Sequence, residues 1–402
     1  MVASEERLFD MLCCQSALLD FTQYRKYGIY VFRFYKNSLP YFVIIDDRVP
    51  CMQKLDSQPV PYFARCENAN FFWVSLIEKA FAKLHGRYFA LEQGKVENAL
   101  TDMLGVTTED LHIDPFEQTD PGKLFECLKV LSYNHCIVGC TLSNEHVNQL
   151  GNEAKTKHQN LERTAKASGI IAGYTYSLLD VRELTVAGKL TRLVRLRNPW
   201  AGGQEWTGAF SDLDDVWSPD LKKQLNTQDI QEGQKTSSRF SHAWNQGDGI
   251  FLMKIEDFMS CFNQISICRD FPDNFNGIKY EGEWNPSYGF PHPKNVKWLS
   301  NPQYIFSFHS FSAKETRVCI QLSQKDPRFI PTLRPPFKKQ MCGLGMVLMK
   351  MGSVQLQIKT YNPRDLVLIK KAKTHRTVYV STILTPGKYC LIPLTKYSGD
   401  CT

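Results

Sequence analysis

The 402-residue sequence predicts an α+β protein in which a region of mixed helices and strands precedes an antiparallel β-sandwich. Segments with helical periodicity alternate with short apolar strands over the first 270 residues. Beyond residue 297, short strand-like runs recur without helices, and Gly or Pro separates several of them. Charge divides the chain at the same place: residues 291–402 carry 18 basic and four acidic side chains, a net +14, whereas the first 290 residues carry −7. Opposed charges of this size indicate separate domains.

Composition excludes several classes of protein. The length suggests two or three domains, and 43% hydrophobic with 22% charged residues excludes disorder, collagen-like repeats and coiled coils. The longest apolar stretch, 341–349, is too short to cross a membrane, and Glu5 and Glu6 stand where a signal peptide would be basic. Thirteen cysteines without a CxxC pair favour neither a disulfide framework nor a zinc site. We therefore expect a reducing, cytoplasmic setting and no nucleic-acid partner.

In the first region, side chains from Val31 to Tyr35 alternate between two faces, so residues 28–50 predict two strands joined by a Ser-Leu-Pro turn. The polar stretch 144–168, which contains His158, predicts a loop. The remaining predicted elements are helices over 72–91 and 121–132 and strands over 136–142, 173–181 and 190–198.

The last third of the chain predicts a different architecture. Four prolines between residues 270 and 297 predict a linker. Beyond it we expect strands over 304–308, 317–322, 346–350, 354–359, 366–370, 377–380 and 388–392. Strands at this spacing are typical of an antiparallel sandwich.

Eight sequence blocks, which span residues from about 3 to 400, resemble the calpains, a family of calcium-dependent cysteine endopeptidases. The blocks are GIYVFRF, VIIDDRVP, FFWVSLIEKAFAKLHGRYFAL, GYTYSLLDVREL, LVRLRNPWAGGQEWTGAFSD, GDGIFLMKIEDFM, NPQYIFSF and LTPGKYCLIPLT, in the order of the family. The resemblance implies a papain-like cysteine protease core followed by a C2-like β-sandwich. It divides the chain into a truncated first subdomain (1–115), a second subdomain (116–275), a linker (276–296) and the sandwich (297–402). Whether the last strand of the sandwich is present stays open.

The catalytic residues of the family can be compared one at a time. Cysteine endopeptidases need a thiolate, an imidazole base and a group that orients the imidazole. The resemblance assigns the orienting amide to Asn198 and the shielding indole to Trp200. Taken alone, Asn198 is better explained as a strand-end turn before Pro199, and the surrounding RNPW and EWTG motifs favour the site instead. Tyr174 occupies the place of the base, because Gly-Tyr-Thr-Tyr-Ser replaces the Gly-His-Ala-Tyr-Ser of the family.

The nucleophile of the family has no counterpart among these residues. It lies in a Gly-Asp-Cys-Trp block upstream of the strand that begins near Gly28, and no such block precedes Gly28 here. Cys13 and Cys14 resemble the segment after that block, so we expect them to be small apolar residues on a helix face.

One of the two calcium sites of the family core keeps part of its ligand set, which makes calcium a weak candidate ligand. The matching carboxylates are Glu205, Asp212 and Asp248, while Ile250 replaces a further Glu. Asp248 and Gly249 might instead form only a turn. The other core site is expected to be lost, because Phe71 stands where the family has a Glu.

Basic residues of the sandwich form a candidate anion-binding set. Its members lie between two predicted strands and are Lys370, Lys371, Lys373 and Arg376. A positive loop at the end of a sandwich favours an anionic membrane surface. The alternatives are a solvated hairpin, or a contact with the acidic core of the same molecule.

Together these features predict a calpain-like protein without peptidase activity, which binds or regulates protein partners or calpain substrates. The alternative is a calcium-dependent cysteine endopeptidase of which this chain is a shortened form. A third interpretation is an unstable remnant, because a core without its central helix would expose apolar surface.

Overall fold

The structure is a computed structural model that describes residues 22–53, 59–66, 72–92, 94–113, 120–134, 136–143, 152–199, 205–232, 247–269, 277–283, 296–309, 314–326, 341–352 and 354–396. It contains helices and antiparallel sheets, which confirms the α+β class.

A β-hairpin covered by helices forms the first region. Strands β1 (Ile29–Lys36) and β2 (Leu39–Asp46) pair through a turn whose residues, Asn37 and Ser38, have positive φ angles. Helix α1 (Trp73–Leu84) ends at His85–Gly86, earlier than predicted, because Gly86 adopts a φ of +94°. The other elements are β3 (Cys51–Met52), β4 (Val60–Pro61), α2 (Val96–Leu104) and two 3₁₀ turns, Thr22–Tyr27 and Tyr88–Leu91.

A six-stranded antiparallel sheet, in the order β5-β10-β6-β7-β8-β9, forms the second region. The elements are β5 (Thr107–His112), α3 (Pro121–Tyr133), β6 (Ile137–Thr141), α4 (Asn152–Ala167), β7 (Thr175–Val186), β8 (Lys189–Arg197), α5 (Pro219–Glu232), β9 (Ile250–Lys254), α6 (Ile255–Cys261) and β10 (Gln264–Arg269). Helices α3, α4 and α6 contribute to the core of this region, while α5 packs on a smaller cluster around β7. Strand β5 precedes the predicted boundary at 115, yet it pairs with β10.

Two expectations for this region were wrong. The predicted loop 144–168 contains helix α4, on which His158, Leu161 and Ala165 are buried on one face. The segment Glu183–Val186, expected in a turn, continues strand β7. The connection to β8 is only Ala187–Gly188, whose positive φ angles suit a two-residue hairpin.

The last region is a two-layer sandwich. One sheet has the order β11-β16-β13-β14, and strands β12 and β15 form the other. The strands are β11 (Tyr304–Phe308), β12 (Thr316–Ser323), β13 (Gly343–Met351), β14 (Leu366–Lys373), β15 (Thr377–Leu384) and β16 (Gly387–Lys396), with 3₁₀ turns at Val296–Ser300 and Pro363–Asp365. The strand predicted over 354–359 is absent from that described segment, where Val354 and Leu356 are exposed and form no ladder.

Strand β15 of the sandwich lies against strand β5 of the second region. Of the predicted linker, only 277–283 and residue 296 fall within the described residues. Across the described part of the chain, no helix combines the length and apolar character needed to span a bilayer.

Candidate functional site

Asn198 lies immediately after the last residue of β8 and is only 2% exposed. Its backbone N–H donates to the carbonyl of Gly249 at 2.7 Å, which ties the end of β8 to the loop before β9. Burial of a polar amide at a strand end is costly unless it has partners, so this position suits a residue that orients another group.

Tyr174 lies just before β7, and β7 is the neighbour of β8 in the sheet. Because Ser177 pairs with Arg197, the start of β7 and the end of β8 lie at the same end of the sheet, where these strands begin or finish. The Tyr174 side chain is 43% exposed, whereas Tyr176 is fully buried and its hydroxyl accepts a hydrogen bond from the Ile171 N–H at 3.1 Å. The sheet therefore places Tyr174 and Asn198 at the same end of these two neighbouring strands. Trp200 falls outside the described residues.

The segment that follows, residues 205–209, is held by close packing. Trp206 is buried and its indole N–H donates to the carbonyl of Ala209 at 2.8 Å. A Cβ at Gly208 would lie 2.1 Å from the Trp206 ring, and a Cβ at Gly169 would lie 1.8 Å from the Glu205 carbonyl oxygen. Both positions need glycine for a close approach.

The three candidate calcium ligands lie near one another. Glu205 Oε1 accepts hydrogen bonds from the N–H groups of Gly247 at 2.9 Å and Gly249 at 2.7 Å. Burial raises the pKa of the Glu205 carboxyl, and the negative charges of Asp212 and Asp248 raise it further. A bound cation would favour the ionised form instead.

The placement of these carboxylates does not form a calcium shell. Oxygens around one calcium ion lie at about 2.3–2.6 Å from it, hence within roughly 5 Å of one another. Among the described residues, two other sets of three side chains of metal-ligand type lie close enough to share one ion, and Glu205, Asp212 and Asp248 do not form such a set. Asp248 Oδ1 accepts a hydrogen bond from the Ile250 N–H at 2.7 Å, as in a turn.

Comparison with known proteins decides the family. The model of the calpain family cysteine protease matches residues 1–269, and the model of calpain large subunit domain III matches residues 280–401. This chain belongs to the calpain family. The papain-like core followed by the domain III sandwich is thereby confirmed.

Calpain relatives align with most of this chain. Calpain-5 of Caenorhabditis elegans is 30% identical over 411 residues, which cover 93% of this chain and 58% of that protein. Calpain-5 of Mus musculus is 28% identical over 400 residues, covering 92% of this chain and 56% of that protein. The calpain-type cysteine protease DEK1 of Arabidopsis thaliana is 33% identical over 288 residues, which are 70% of this chain and 11% of that protein. The chain thus spans less than two thirds of these relatives.

Four of the ten described cysteines of this calpain-family chain are poor candidates for a thiolate nucleophile. Burial raises the pKa of the Cys261 and Cys390 thiols to about 12, and it also raises the pKa of the thiols of Cys127 and Cys140. A thiol with a raised pKa holds its proton at neutral pH and is a poor nucleophile. The sequence candidates Cys13 and Cys14 lie outside the described residues.

The basic residues of the sandwich do not form one surface. Lys370, Lys371 and Lys373 lie on β14 itself, an edge strand, and not in a loop as expected. Lys371 and Lys373 are exposed on one face of this strand. Arg376 differs from the prediction, because it is 6% exposed and points into the contact with the core region.

Arg376 belongs to a buried cluster that the sequence analysis missed. Its Nη1 lies 2.8 Å from Asp102 Oδ1 and 3.0 Å from Asp326 Oδ2. Lys36 Nζ lies 2.6 Å from Asp102 Oδ2 and 2.7 Å from Asp326 Oδ2. We call these four residues, Lys36, Asp102, Arg376 and Asp326, the charge ring.

His85 lies against the charge ring. Together with Asp102 and Asp326 it forms a set of three side chains of the types that bind metal ions. The Lys36 ammonium, 2.8 Å from His85 Nε2, fills the place that a metal cation would take. A second such set, Glu97, Asp110 and His375, has no comparable indication of its ligand. The sequence did contain a signal for the ring: the alternation of β1 puts Lys36 on the face of Phe32 and Phe34, where a lysine needs buried partners.

Proposed function

We propose that this calpain-family chain does not hydrolyse peptides and that it acts by binding protein partners or the substrates of calpains. The observation that supports the proposal is the position of Tyr174 just before β7, at the same end of the sheet as Asn198. The resemblance of the sequence blocks assigns Tyr174 to the position where the family has its imidazole base. In cysteine endopeptidases, the imidazole removes the proton of the thiol and later protonates the leaving amine. A neutral phenol has no basic nitrogen that could take the proton of a thiol, so Tyr174 cannot do the first of these.

The alternative is a calcium-dependent cysteine endopeptidase of which this chain is a shortened form. The buried Asn198, at the position of the amide that orients the imidazole in the family, favours this alternative. A nucleophile supplied by residues before Met1 would still leave Tyr174 in the position of the base. We therefore give precedence to the binding function.

The decisive experiment is an activity assay of both the 402-residue chain and the protein isolated from cells. Casein cleavage and labelling by a thiol-directed peptide inhibitor are measured at saturating calcium, with an active calpain as positive control. We expect neither signal. Calcium-dependent turnover that is lost in Asn198→Ala, or in Cys13→Ser or Cys14→Ser, would show a working protease and refute the proposal.

A second binding function is proposed for β14 of the sandwich. Lys371 and Lys373 are exposed on this strand, and the region from residue 291 carries a net charge of +14. Each basic residue near an anionic bilayer contributes about 1 kcal/mol of attraction, so the strand suits acidic lipid headgroups. Lysines on an edge strand also prevent edge-to-edge pairing of sheets, and this competing role needs no ligand.

We further propose that the protein acts in the cytoplasm. The ten cysteines that the structure describes are all free thiols, which suits a reducing compartment. Imaging of the tagged chain in intact cells tests this, and a secretory or organellar pattern would contradict it.

A further inference from the structure

The hairpin of β1 and β2 has two faces with different surroundings. The inner face packs on helices α1 and α2 through four buried side chains, Phe32, Phe34, Val43 and Ile45. The opposite face, which we call the outer face, consists of side chains that the alternation and the register of the two strands place together. The members that matter here are Ile29, Arg33, Tyr35, Phe42 and Ile44.

Three apolar side chains of the outer face are exposed to solvent. Ile29 is 38% exposed, Phe42 is 42% exposed and Ile44 is 56% exposed. Single exposed apolar residues are common on protein surfaces, but a group of them on one face of a sheet marks an interaction site. More than half of the exposed large apolar side chains of the described residues lie in the first region, so a partner is expected there rather than on the other two regions.

A cation lies within this apolar group. Arg33 pairs with Phe42 in the hairpin, and its guanidinium lies 5.8 Å from the centre of the Tyr35 ring. Within the described part of the chain, the buried Nε of Arg33 makes no hydrogen bond and no carboxylate lies within ion-pair distance of the guanidinium. A partly desolvated guanidinium favours a carboxylate, which it can bind through two parallel hydrogen bonds. The outer face therefore suits an occupant that combines apolar side chains with an acidic one.

Lysines of α1 cover the edge of β2. Lys83 Nζ donates to the Ile44 carbonyl at 2.7 Å, and Lys79 Nζ donates to the Asp46 carbonyl at 3.1 Å. Towards the other end of the strand, Pro40 has no N–H to donate. A partner strand added at this edge would have to displace both ammonium groups. A helix on the outer face needs none of these backbone groups, so a helix fits better than a strand.

We propose that the outer face is a docking surface for an amphipathic helix of a partner protein, and that this helix carries a carboxylate beside its apolar anchors. The proposal rests on the binding function proposed above and specifies the surface and the chemistry that it recognises. From Ile29 to Arg33 the face extends over about 13 Å, at roughly 3.3 Å per residue. About nine residues of helix cover this distance, with anchors at i, i+4 and i+7. The exposed Lys83 adds positive charge nearby, whereas Asp46 is already paired with Lys79.

Two designed helices measure the recognition. Each has about 15 residues, Leu at i, i+4 and i+7, and a side-chain cross-link that keeps it helical. One helix carries Glu one turn after the last Leu, and the other carries Lys at that position. Fluorescence anisotropy with the full chain should show that the Glu helix binds about tenfold more tightly, which is the usual effect of a hydrogen bond between charged groups. The variant Arg33→Glu should reverse this preference.

A matched pair of variants tests the apolar part of the surface. Ile44→Ser should weaken binding of the Glu helix about tenfold, because the isoleucine side chain is buried only in the complex. Ile383→Ser is the control, since Ile383 on β15 is 59% exposed and lies in the sandwich, and it should leave the affinity unchanged. A misfolded Arg33→Glu chain cannot imitate the expected result, because that variant should gain affinity for the Lys helix.

Several outcomes would overturn the proposal. Equal affinity for the two helices, or equal losses in Ile44→Ser and Ile383→Ser, would show that the outer face does not recognise such a helix. Binding to neutral vesicles, or dimerisation in sedimentation velocity, that is lost in Ile44→Ser would assign the face to lipid or to a second copy instead. The casein assay tests the proposed function separately: cleavage by a chain that still distinguishes the two helices would refute that function alone.

Discussion

Replacement of Lys36 by methionine should cost this protein a large part of its stability. Lys36 is 3% exposed, and its ammonium lies within 2.8 Å of Asp102, Asp326 and His85. Methionine has a similar volume and no charge, so Lys36→Met leaves two buried carboxylates opposite the single guanidinium of Arg376. Loss of one partner from a buried charged cluster typically costs about 3–5 kcal/mol.

The matched control is Lys129→Met, which removes a lysine that lies 2.8 Å from Glu183 and has a half-exposed side chain. An exposed pair of this kind contributes about 0–1 kcal/mol. Urea unfolding followed by circular dichroism gives the free energy of unfolding of both variants. A loss in Lys36→Met no larger than that in Lys129→Met would refute the role assigned to the ring.

The pH dependence supplies an independent check. Burial alone would raise the pKa of Asp102, but its interactions with His85, Arg376 and Lys36 outweigh burial and lower it below 3.8. The stability that this carboxylate contributes is therefore present above pH 4 and is lost as the pH falls through the lowered pKa. Lys36→Met should reduce that lowering, so the two proteins should differ less in stability at pH 3 than at pH 7.

Three further predictions concern the other sites. If calcium gathers Glu205, Asp212 and Asp248 around one ion, the variant Ile250→Glu should tighten calcium binding by about tenfold in calorimetry, because ligand charge sets affinity; equal affinities would show that these carboxylates do not share an ion. Substitution of three lysines of β14 by serine should weaken co-sedimentation of the full chain with anionic vesicles at low salt, without an effect on neutral vesicles; these are Lys370, Lys371 and Lys373. The variant Gly169→Ala should lower the melting temperature, since φ is +89° and the new Cβ would meet the Glu205 carbonyl; an unchanged melting temperature would contradict this packing.

The sequence predicted elements best where one periodicity was strong. Helix α3 and strands β1, β2 and β6 lie where apolar residues repeat clearly. Helix α4 was missed because its buried stripe is short and includes His158 among polar neighbours. The prediction of a strand over 354–359 was wrong although its pattern alternates, because a strand also needs a neighbouring strand to pair with.

The sequence likewise predicted one part of the candidate site and missed another. Motifs located Asn198 and Tyr174, because both lie in contiguous blocks of sequence at the ends of adjacent strands. The charge ring has no contiguous signal: Lys36 bonds to Asp102, 66 positions away, and to Asp326, 290 positions away. Pairings over such distances depend on how domains dock, which a local pattern does not contain.

The pairing of β5 with β10 has a consequence for synthesis of the chain. Arg269 on β10 bonds to Glu109 on β5, 160 positions earlier, so β5 cannot enter its sheet until the second region has left the ribosome. During that interval the nascent chain presents an unpaired strand edge, and non-local pairing of this kind is slow. The second region should therefore stay incompletely folded during synthesis, and stalling of translation before Gln264 should leave a protease-sensitive, aggregation-prone intermediate.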